Sequence, residues 1–79
     1  MDNSTRISID PEIMHGKPCI RTTRIPVDLI LELLEAGEPF SEILEMYPSI
    51  TKNDIQACIA YARKKIEEAT VIEPKGTST

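Results

Sequence analysis

The sequence is poor in the residues that most often build disulfide, metal and cofactor sites. Its 79 residues include two cysteines, one histidine and three glycines. Neither cysteine lies in a CxxC or CxxH spacing, so both thiols are expected to be free. One histidine leaves a zinc site short of ligands, and three scattered glycines cannot form a phosphate-cradling loop. We therefore expect neither a metal nor a cofactor.

Long apolar runs are also missing. No stretch is long enough to cross a bilayer, and the start Met-Asp-Asn-Ser-Thr lacks a basic region followed by an apolar one. These features predict no membrane contact and no export, which makes the cytoplasm the expected compartment. A single domain of this size buries little surface and is only marginally stable by itself, which favours a partner chain.

The net charge of −4 is unevenly distributed along the chain. Residues 28–54 hold seven acidic side chains and only one basic side chain. Acidic residues at helical spacing most often form a solvated face, and such a face repels phosphates. Nucleic acid would therefore have to approach from elsewhere. The acidic residues expected to face a partner protein are Glu32, Glu35, Glu42 and Glu45.

Three apolar patterns of helical period follow one another along the second half of the chain. Pro26 suits the first turn of a helix, and Gly37 suits the position just past its end. Thr51, with Asp54 three residues later, resembles a capping box at the start of the third helix. The predicted helices cover about residues 27–36, 39–47 and 52–69.

Short joints between three amphipathic helices leave few arrangements open. The sequence predicts a mainly α fold, a three-helix helix-turn-helix of homeodomain-like or winged-helix-like type, with short N-terminal β-strands. Residues 6–69 are expected to form this single domain. Residues 1–5 are expected to be flexible and residues 70–79 to form a disordered tail.

Two stretches before the helices are strand-like. Residues 6–9 alternate apolar and polar side chains, and residues 19–25 are rich in β-branched side chains. Two strands this short are marginal in water unless they pack on the helices or on a second copy of the chain. The second copy is favoured, in line with a predicted homodimer.

The start of the third helix carries the best candidates for contacts with DNA bases. Lys52, Asn53 and Gln56 lie where the recognition helix of a helix-turn-helix enters the major groove. A solvated helix start has the same appearance, and Asp54 in the same turn opposes phosphates. A basic cluster at residues 63–65 lies late in this helix, where cations also complement the helix dipole.

Basic residues also cluster before the first helix, where they are candidates for phosphate contacts. They are Lys17, Arg21 and Arg24. In a regular strand the two arginines, three residues apart, would point to opposite faces. The alternatives are ordinary surface charge or pairing with the acidic first helix through Glu32 or Glu35.

His15 and Cys19 form the one base–nucleophile pair that the sequence offers, across a predicted turn. A turn histidine without a catalytic role is the simpler interpretation. We therefore predict that the chain is not an enzyme.

Four motifs in the chain resemble a known family. They are Asp10-Pro11-Glu12-Ile13, Gly16-Lys17-Pro18-Cys19-Ile20, Thr23-Arg24-Ile25-Pro26-Val27 and Tyr47-Pro48-Ser49-Ile50-Thr51. In this order and spacing they closely resemble a small prokaryotic family catalogued as domain of unknown function 433, over about residues 6–69. The resemblance implies a helix-turn-helix protein similar to the antitoxins of VapBC-type pairs, often encoded beside a PIN-like ribonuclease. The family usually has glycine where this chain has Thr22.

The leading hypothesis is a dimeric, non-catalytic antitoxin and transcriptional regulator that binds operator DNA and neutralises a PIN-like toxin nuclease. Its carboxylate-rich helices would occupy the positive channel that such a nuclease presents to nucleic acid. The alternative is a protein-binding module that keeps the helix-turn-helix architecture without touching DNA, which the net charge of −4 favours.

Overall fold

A computed structural model describes residues 6–69, which form a mainly helical domain with a small sheet at its N-terminal end. The flexible N-terminus and the disordered tail predicted for residues 1–5 and 70–79 lie outside the described residues. No helix within residues 6–69 is both long and apolar enough to cross a membrane. The elements in chain order are β1 (Ile7–Ser8), β2 (Cys19–Ile20), α1 (Val27–Glu35), α2 (Phe40–Met46) and α3 (Lys52–Ala69).

Prolines set the starts of the first two helices. Pro26 and Pro39 are both extended, with φ near −70° and ψ of 149° and 159°, and each lies immediately before its helix rather than in its first turn. A proline here costs little because the N–H it lacks would have no partner inside the helix. Helix α2 ends before Pro48, because the residue preceding a proline is sterically kept out of the α conformation.

The end of α1 is a Schellman motif, as the position of Gly37 predicts. Gly37 has a φ of +90°, its N–H donates to the carbonyl of Leu34 at 3.0 Å, and the N–H of Glu38 donates to the carbonyl of Leu33 at 3.0 Å. Two of the helix's terminal carbonyls are satisfied in this way. The left-handed φ turns the chain sharply enough for α2 to begin three residues later.

We predict that Gly37→Ala destabilises the domain. A Cβ at this position would meet no atom within 4 Å, so the cost is conformational and amounts to about 1–2 kcal/mol in the free energy of unfolding. Gly37→Asn is the control, because asparagine tolerates the left-handed region better. Urea denaturation of both variants checks this, and equal losses for alanine and asparagine would contradict the assignment to φ.

The two strands pair with each other inside one chain. They are antiparallel, with Ile7 opposite Ile20 and Ser8 opposite Cys19. The side chains of Ile7 and Ile20 are buried in the same core as the helices, and β1 packs against α3. Packing on the helices therefore supports the strands, and the favoured pairing with a second copy is not needed for them. The homodimer itself stays a prediction.

The second strand is much shorter than the predicted stretch of residues 19–25. After Ile20 the chain turns, and the N–H of Ile20 donates to the carbonyl of Ile25 at 3.0 Å. Thr23 closes the turn: its Oγ1 donates to the carbonyl of Ile20 at 2.7 Å and accepts the N–H of Ile25 at 3.0 Å. Arg21 and Arg24 therefore lie in a loop, not on the two faces of a strand.

The core consists mainly of isoleucines, and every helix and strand contributes at least one of them. Ile30 of α1, Ile43 of α2 and Ile55 of α3 have no solvent-exposed surface. Ile50, in the joint between α2 and α3, is also buried and fixes that joint to the core. The other buried core residues are Ile7, Ile20, Val27, Ala57 and Cys58.

Only the first half of α3 is covered by the rest of the domain. Ile59 and Ile66, which continue the apolar pattern of the sequence, are 42% and 68% exposed. The reason is length: α3 has 18 residues, α1 has nine and α2 has seven. At 1.5 Å per residue, α3 is about 27 Å long and extends well past its two partners.

Candidate nucleic-acid interface

The start of α3 is held by the capping box that the sequence predicts. The N–H of Asp54 donates to Oγ1 of Thr51 at 3.3 Å, and the N–H of Thr51 donates back to Oδ2 of Asp54 at 2.9 Å. Each residue thus satisfies a backbone donor of the other. The first turn of α3 is fixed without using the side chains of Lys52, Asn53 or Gln56.

The three residues proposed to read DNA bases lie on this fixed first turn or just beyond it. Lys52, Asn53 and Gln56 are all exposed. Their neighbours Ile55 and Ala57 are completely buried, so the helix cannot rotate to hide the polar side chains without exposing its core face. The structure therefore presents the three predicted side chains to solvent at one end of the domain.

Asp54 also connects α3 to the N-terminal end of the sheet. Its Oδ1 accepts a hydrogen bond from Nη1 of Arg6 at 3.1 Å, and the two side chains are 14% and 35% exposed. A partly buried, charge-assisted contact of this kind is stronger than one between fully exposed groups. Sequence reasoning treated Arg6 only as a strand residue, because nothing local links it to a residue 48 positions away.

The loop after β2 contains a strained residue. Thr22 has a φ of +66°, a left-handed conformation that is a genuine outlier for a β-branched residue. A glycine would adopt this left-handed conformation without strain. The backbone strain of the turn therefore falls on Thr22.

An open cleft of about 230 Å³ separates this loop from the start of α3. Its walls come from three parts of the chain that are distant in sequence: the start of β1, the loop after β2, and the joint and first turn around α3. The lining residues are Arg6, Ile20, Arg21, Thr22, Thr23, Ser49 and Asp54. Of the six predicted DNA contacts, only Arg21 lines the cleft.

Lys17 lies elsewhere, against α1. Its Nζ donates to Oδ2 of Asp28 at 3.2 Å, and both side chains are more than half exposed. Lys17 therefore pairs with the acidic first helix, as the predicted alternative states, but its partner is Asp28 and not Glu32 or Glu35. Such an exposed pair contributes at most about 1 kcal/mol. Arg24 is also exposed and does not line the cleft.

The acidic residues predicted to face a partner protein are exposed. None of them forms an ion pair with another residue in the described range 6–69. Exposed like charges on adjacent helices repel one another, so a cationic partner surface would relieve this repulsion. The four residues are Glu32 and Glu35 of α1 with Glu42 and Glu45 of α2.

The basic cluster late in α3 is largely accounted for by contacts within the helix. Arg63 pairs with Glu67 at 3.5 Å and Lys65 pairs with Glu68 at 3.3 Å. The ammonium of Lys65 also lies 5.6 Å from the ring centre of Tyr61. These are ordinary helix-surface interactions. None of the three basic residues lies in the last turn of α3, so the predicted complement to the helix dipole is not what they provide.

Neither thiol is arranged as a nucleophile. Cys19 is buried and its Sγ donates to the carbonyl of Lys17 at 3.5 Å. Burial and the nearby Asp28 raise the pKa of Cys19, against opposing effects of Lys17 and Arg24. His15, by contrast, is exposed and has a left-handed φ of +56°. Within residues 6–69 no group of three or more potential metal ligands comes together.

Together these features define a small helical domain with a two-stranded N-terminal sheet and a polar cleft beside the start of its third helix. The family model described as "Protein of unknown function (DUF433)" matches residues 7–62. The chain belongs to this family, as its four motifs predict.

The chain is also similar to two known proteins. The chain is 32% identical over 56 residues to "Uncharacterized protein y4eO" of Sinorhizobium fredii (strain NBRC 101917 / NGR234), covering 71% of this chain and 25% of the relative. It thus spans about a quarter of that relative's length. A crystal structure of a DUF433 member protein from Anabaena variabilis ATCC 29413 matches with a TM-score of 0.74 and 35% identity, over 80% of this chain and 62% of that chain. The likeness to VapB-type antitoxins stays a prediction.

We predict that Thr22→Gly stabilises the domain. Relief of the left-handed conformation is worth about 1–2 kcal/mol, whereas the extra flexibility of glycine in the unfolded chain costs about 0.5–1 kcal/mol. The net gain should be up to about 1.5 kcal/mol in urea denaturation. Thr23→Gly is the matched control and should destabilise, because it removes both hydrogen bonds of that hydroxyl. A loss of stability in Thr22→Gly would contradict the strain.

A second prediction concerns alkaline pH. Burial, helped by the Asp54 carboxylate, raises the pKa of Cys58 to about 12. In the unfolded chain a thiol ionises near pH 8.5, so this contribution to stability is complete below that pH. It should decline by up to about 1.4 kcal/mol per pH unit as the pH rises toward 12. Urea denaturation from pH 7 to 11 should show a smaller decline in Cys58→Ala. An identical decline in both proteins would disprove the assignment.

Proposed function

We propose that this chain is a non-catalytic antitoxin and transcriptional regulator that acts in the cytoplasm, binding operator DNA and neutralising a PIN-like ribonuclease. The observation that carries the DNA-binding part is the exposure of Lys52, Asn53 and Gln56 on the capped first turn of α3. Capping by Thr51 and Asp54 leaves those three side chains available to base edges.

In this proposal α2 and α3 are the helix-turn-helix. Only five residues, 47–51, join the two helices, and the N–H of Ile50 donates to the carbonyl of Tyr47 at 3.1 Å within the joint. The buried Ile50 holds this turn against the core. The arrangement favours the homeodomain-like version of the motif over the winged one, because both strands of the described residues precede α1.

The basic loop residues would hold phosphates beside the recognition helix. Arg21 and Arg24 are exposed, and Lys17 can exchange its weak pair with Asp28 for a phosphate. Two copies of the chain, related by a twofold axis, would bring their α3 helices to half-sites about one helical turn apart. This is the role of the predicted homodimer.

The acidic helices supply the surface for the toxin. Glu32, Glu35, Glu42 and Glu45 are exposed, and their charges have no partner among the described residues. A ribonuclease that binds RNA through a positive channel is complementary to such a surface. In this proposal, DNA and toxin contact different parts of the domain, so both activities can be separated by substitution.

The second candidate is a protein-binding module without DNA binding. The net charge of −4 supports it, because an overall acidic protein is repelled by DNA at long range. It shares the acidic surface with the first proposal and differs only in the role of α3. A direct binding measurement therefore separates the two.

We predict that the double substitution Lys52→Gln with Gln56→Ala weakens binding to the chain's own promoter at least tenfold and leaves toxin neutralisation intact. Each good base contact is worth about 1–3 kcal/mol. Fluorescence anisotropy on a promoter duplex measures the first effect. Growth during co-expression with the proposed PIN-like ribonuclease measures the second.

Two further variants control this experiment. Lys64→Gln also removes one positive charge from α3, but about 18 Å further along the helix, and should leave promoter binding unchanged. Glu32→Gln with Glu35→Gln should impair toxin neutralisation and spare DNA binding. If the wild-type chain neutralises the toxin but binds no promoter DNA, the binding-module proposal replaces the first one.

A further inference from the structure

The capping box at the start of α3 places a negative charge where the proposed function needs a positive one. Asp54 supplies the oxygen that accepts the N–H of Thr51 at 2.9 Å. A carboxylate in the first turn suits the helix dipole, because it compensates the partial positive charge of the helix N-terminus. The same compensation removes the attraction that a helix N-terminus otherwise has for phosphates. Capping and DNA binding therefore make opposite demands on this turn.

The guanidinium of Arg6 lies against this carboxylate and compensates its charge. Its Nη1 donates to Oδ1 of Asp54 at 3.1 Å, whereas the N–H of Thr51 uses the other oxygen. The side chain of Asp54 is 14% exposed and that of Arg6 is 35% exposed, so salt screens this pair less than an exposed pair. A phosphate that approaches the turn therefore meets a largely neutral pair instead of a carboxylate.

The backbone of Arg6 is held in place on the helix that carries its partner. Its carbonyl accepts the N–H of Arg21 at 2.8 Å, and the adjacent Ile7 is buried in the core. Strand β1 also packs against α3. Only the side chain of Arg6 has to be ordered to reach Asp54, which lowers the conformational entropy lost in forming the pair.

Lys52 then determines the net charge of the first turn of α3. It is exposed and forms no ion pair with another residue in the range 6–69. Asp54 is the acidic residue of this turn. When Arg6 neutralises Asp54, the charge of Lys52 remains and the turn is positive. Without Arg6, the charges of Lys52 and Asp54 cancel and the turn is neutral.

We propose that Arg6 is a positioning residue of the candidate nucleic-acid interface, which neutralises Asp54 so that the capped start of α3 is positive toward phosphates. Arg6 acts through Asp54 and contacts no phosphate itself. This role rests on the proposed function, because the sign of the charge matters only for a polyanionic partner such as DNA. An acidic capping residue and a DNA-binding surface can in this way share one helical turn.

The first test is a charge cycle on the binding of a labelled promoter duplex, measured by fluorescence anisotropy at low salt. Arg6→Gln leaves Asp54 uncompensated and should weaken binding about three- to tenfold. Adding Asp54→Asn removes that charge, while the amide oxygen can still accept the N–H of Thr51, and should restore the affinity to within about twofold of the wild type. Arg6→Lys keeps the charge and should bind like the wild type.

The double variant also excludes two other roles of Arg6. It lacks the ion pair, so a merely structural role predicts that it binds as weakly as Arg6→Gln, which would overturn the inference. It has the same net charge as the wild type, so the slope of log affinity against log salt concentration should be unchanged. A slope smaller by about one would show that Arg6 holds a phosphate directly, and would also overturn it.

Two controls accompany the cycle. Lys64→Gln removes one positive charge from α3 far from its first turn and should leave the affinity unchanged. Urea denaturation of every variant shows that each is folded under the conditions of the binding measurement.

The second test needs no DNA. A cationic and an anionic nitroxide probe are added in turn to the ¹⁵N-labelled chain, and the relaxation that each causes at the amide protons of Thr51, Lys52 and Asn53 is compared by NMR. A positive turn attracts the anionic probe. Arg6→Gln should shift the ratio toward the cationic probe, and the double variant should restore the wild-type ratio.

The two tests separate this inference from the proposed function. If the wild-type chain binds promoter DNA and Arg6→Gln changes neither the affinity nor the probe ratio, the inference is overturned while DNA binding stands. If the chain binds no promoter DNA but the probe ratio responds as expected, the compensation of Asp54 by Arg6 stands and the proposed function fails. A restored probe ratio without restored affinity in the double variant overturns the inference.

Discussion

The carboxylate of Asp54 is the contact on which the functional end of this domain depends. One oxygen completes the capping box with Thr51, and the other binds Arg6 at the beginning of the sheet. A single side chain thereby fixes the first turn of α3 and ties it to a segment 48 residues earlier. Removing it would take this partner from the N–H of Thr51 and from the guanidinium of Arg6 at the same time, which is costlier than losing one exposed ion pair.

The domain around this contact is only marginally stable. Its core rests on a few fully buried side chains, Ile30, Ile43 and Ile55 among them, and a chain of this size is stable by only a few kcal/mol. It nevertheless retains Thr22 in a left-handed conformation. Strain of this kind persists where the surrounding structure over-determines it, and it clusters at binding sites. That coincidence supports a functional role for the loop that borders the cleft.

Local signals were sufficient for the helices and their ends. Apolar periodicity, Gly37 and the pair Thr51–Asp54 predict three helices within one residue at most boundaries, because capping and helix termination depend on a few neighbouring residues. Exposure of Lys52, Asn53 and Gln56 follows from the same periodicity. The extent of the second strand was not predictable in this way, because β-branched composition alone does not show that Thr23 turns the chain back.

The sequence by itself determined the three helices, the charge distribution and the family, since all three depend on local spacing or on motif order. Only the tertiary structure decided which distant residues meet. The pairing of Arg6 with Asp54, the hydrogen bond from the N–H of Arg21 to the carbonyl of Arg6, and the pairing of Lys17 with Asp28 depend on strand register and on how the sheet packs against the helices. Register is set by the buried faces of the whole domain, and no short stretch of the chain carries that information.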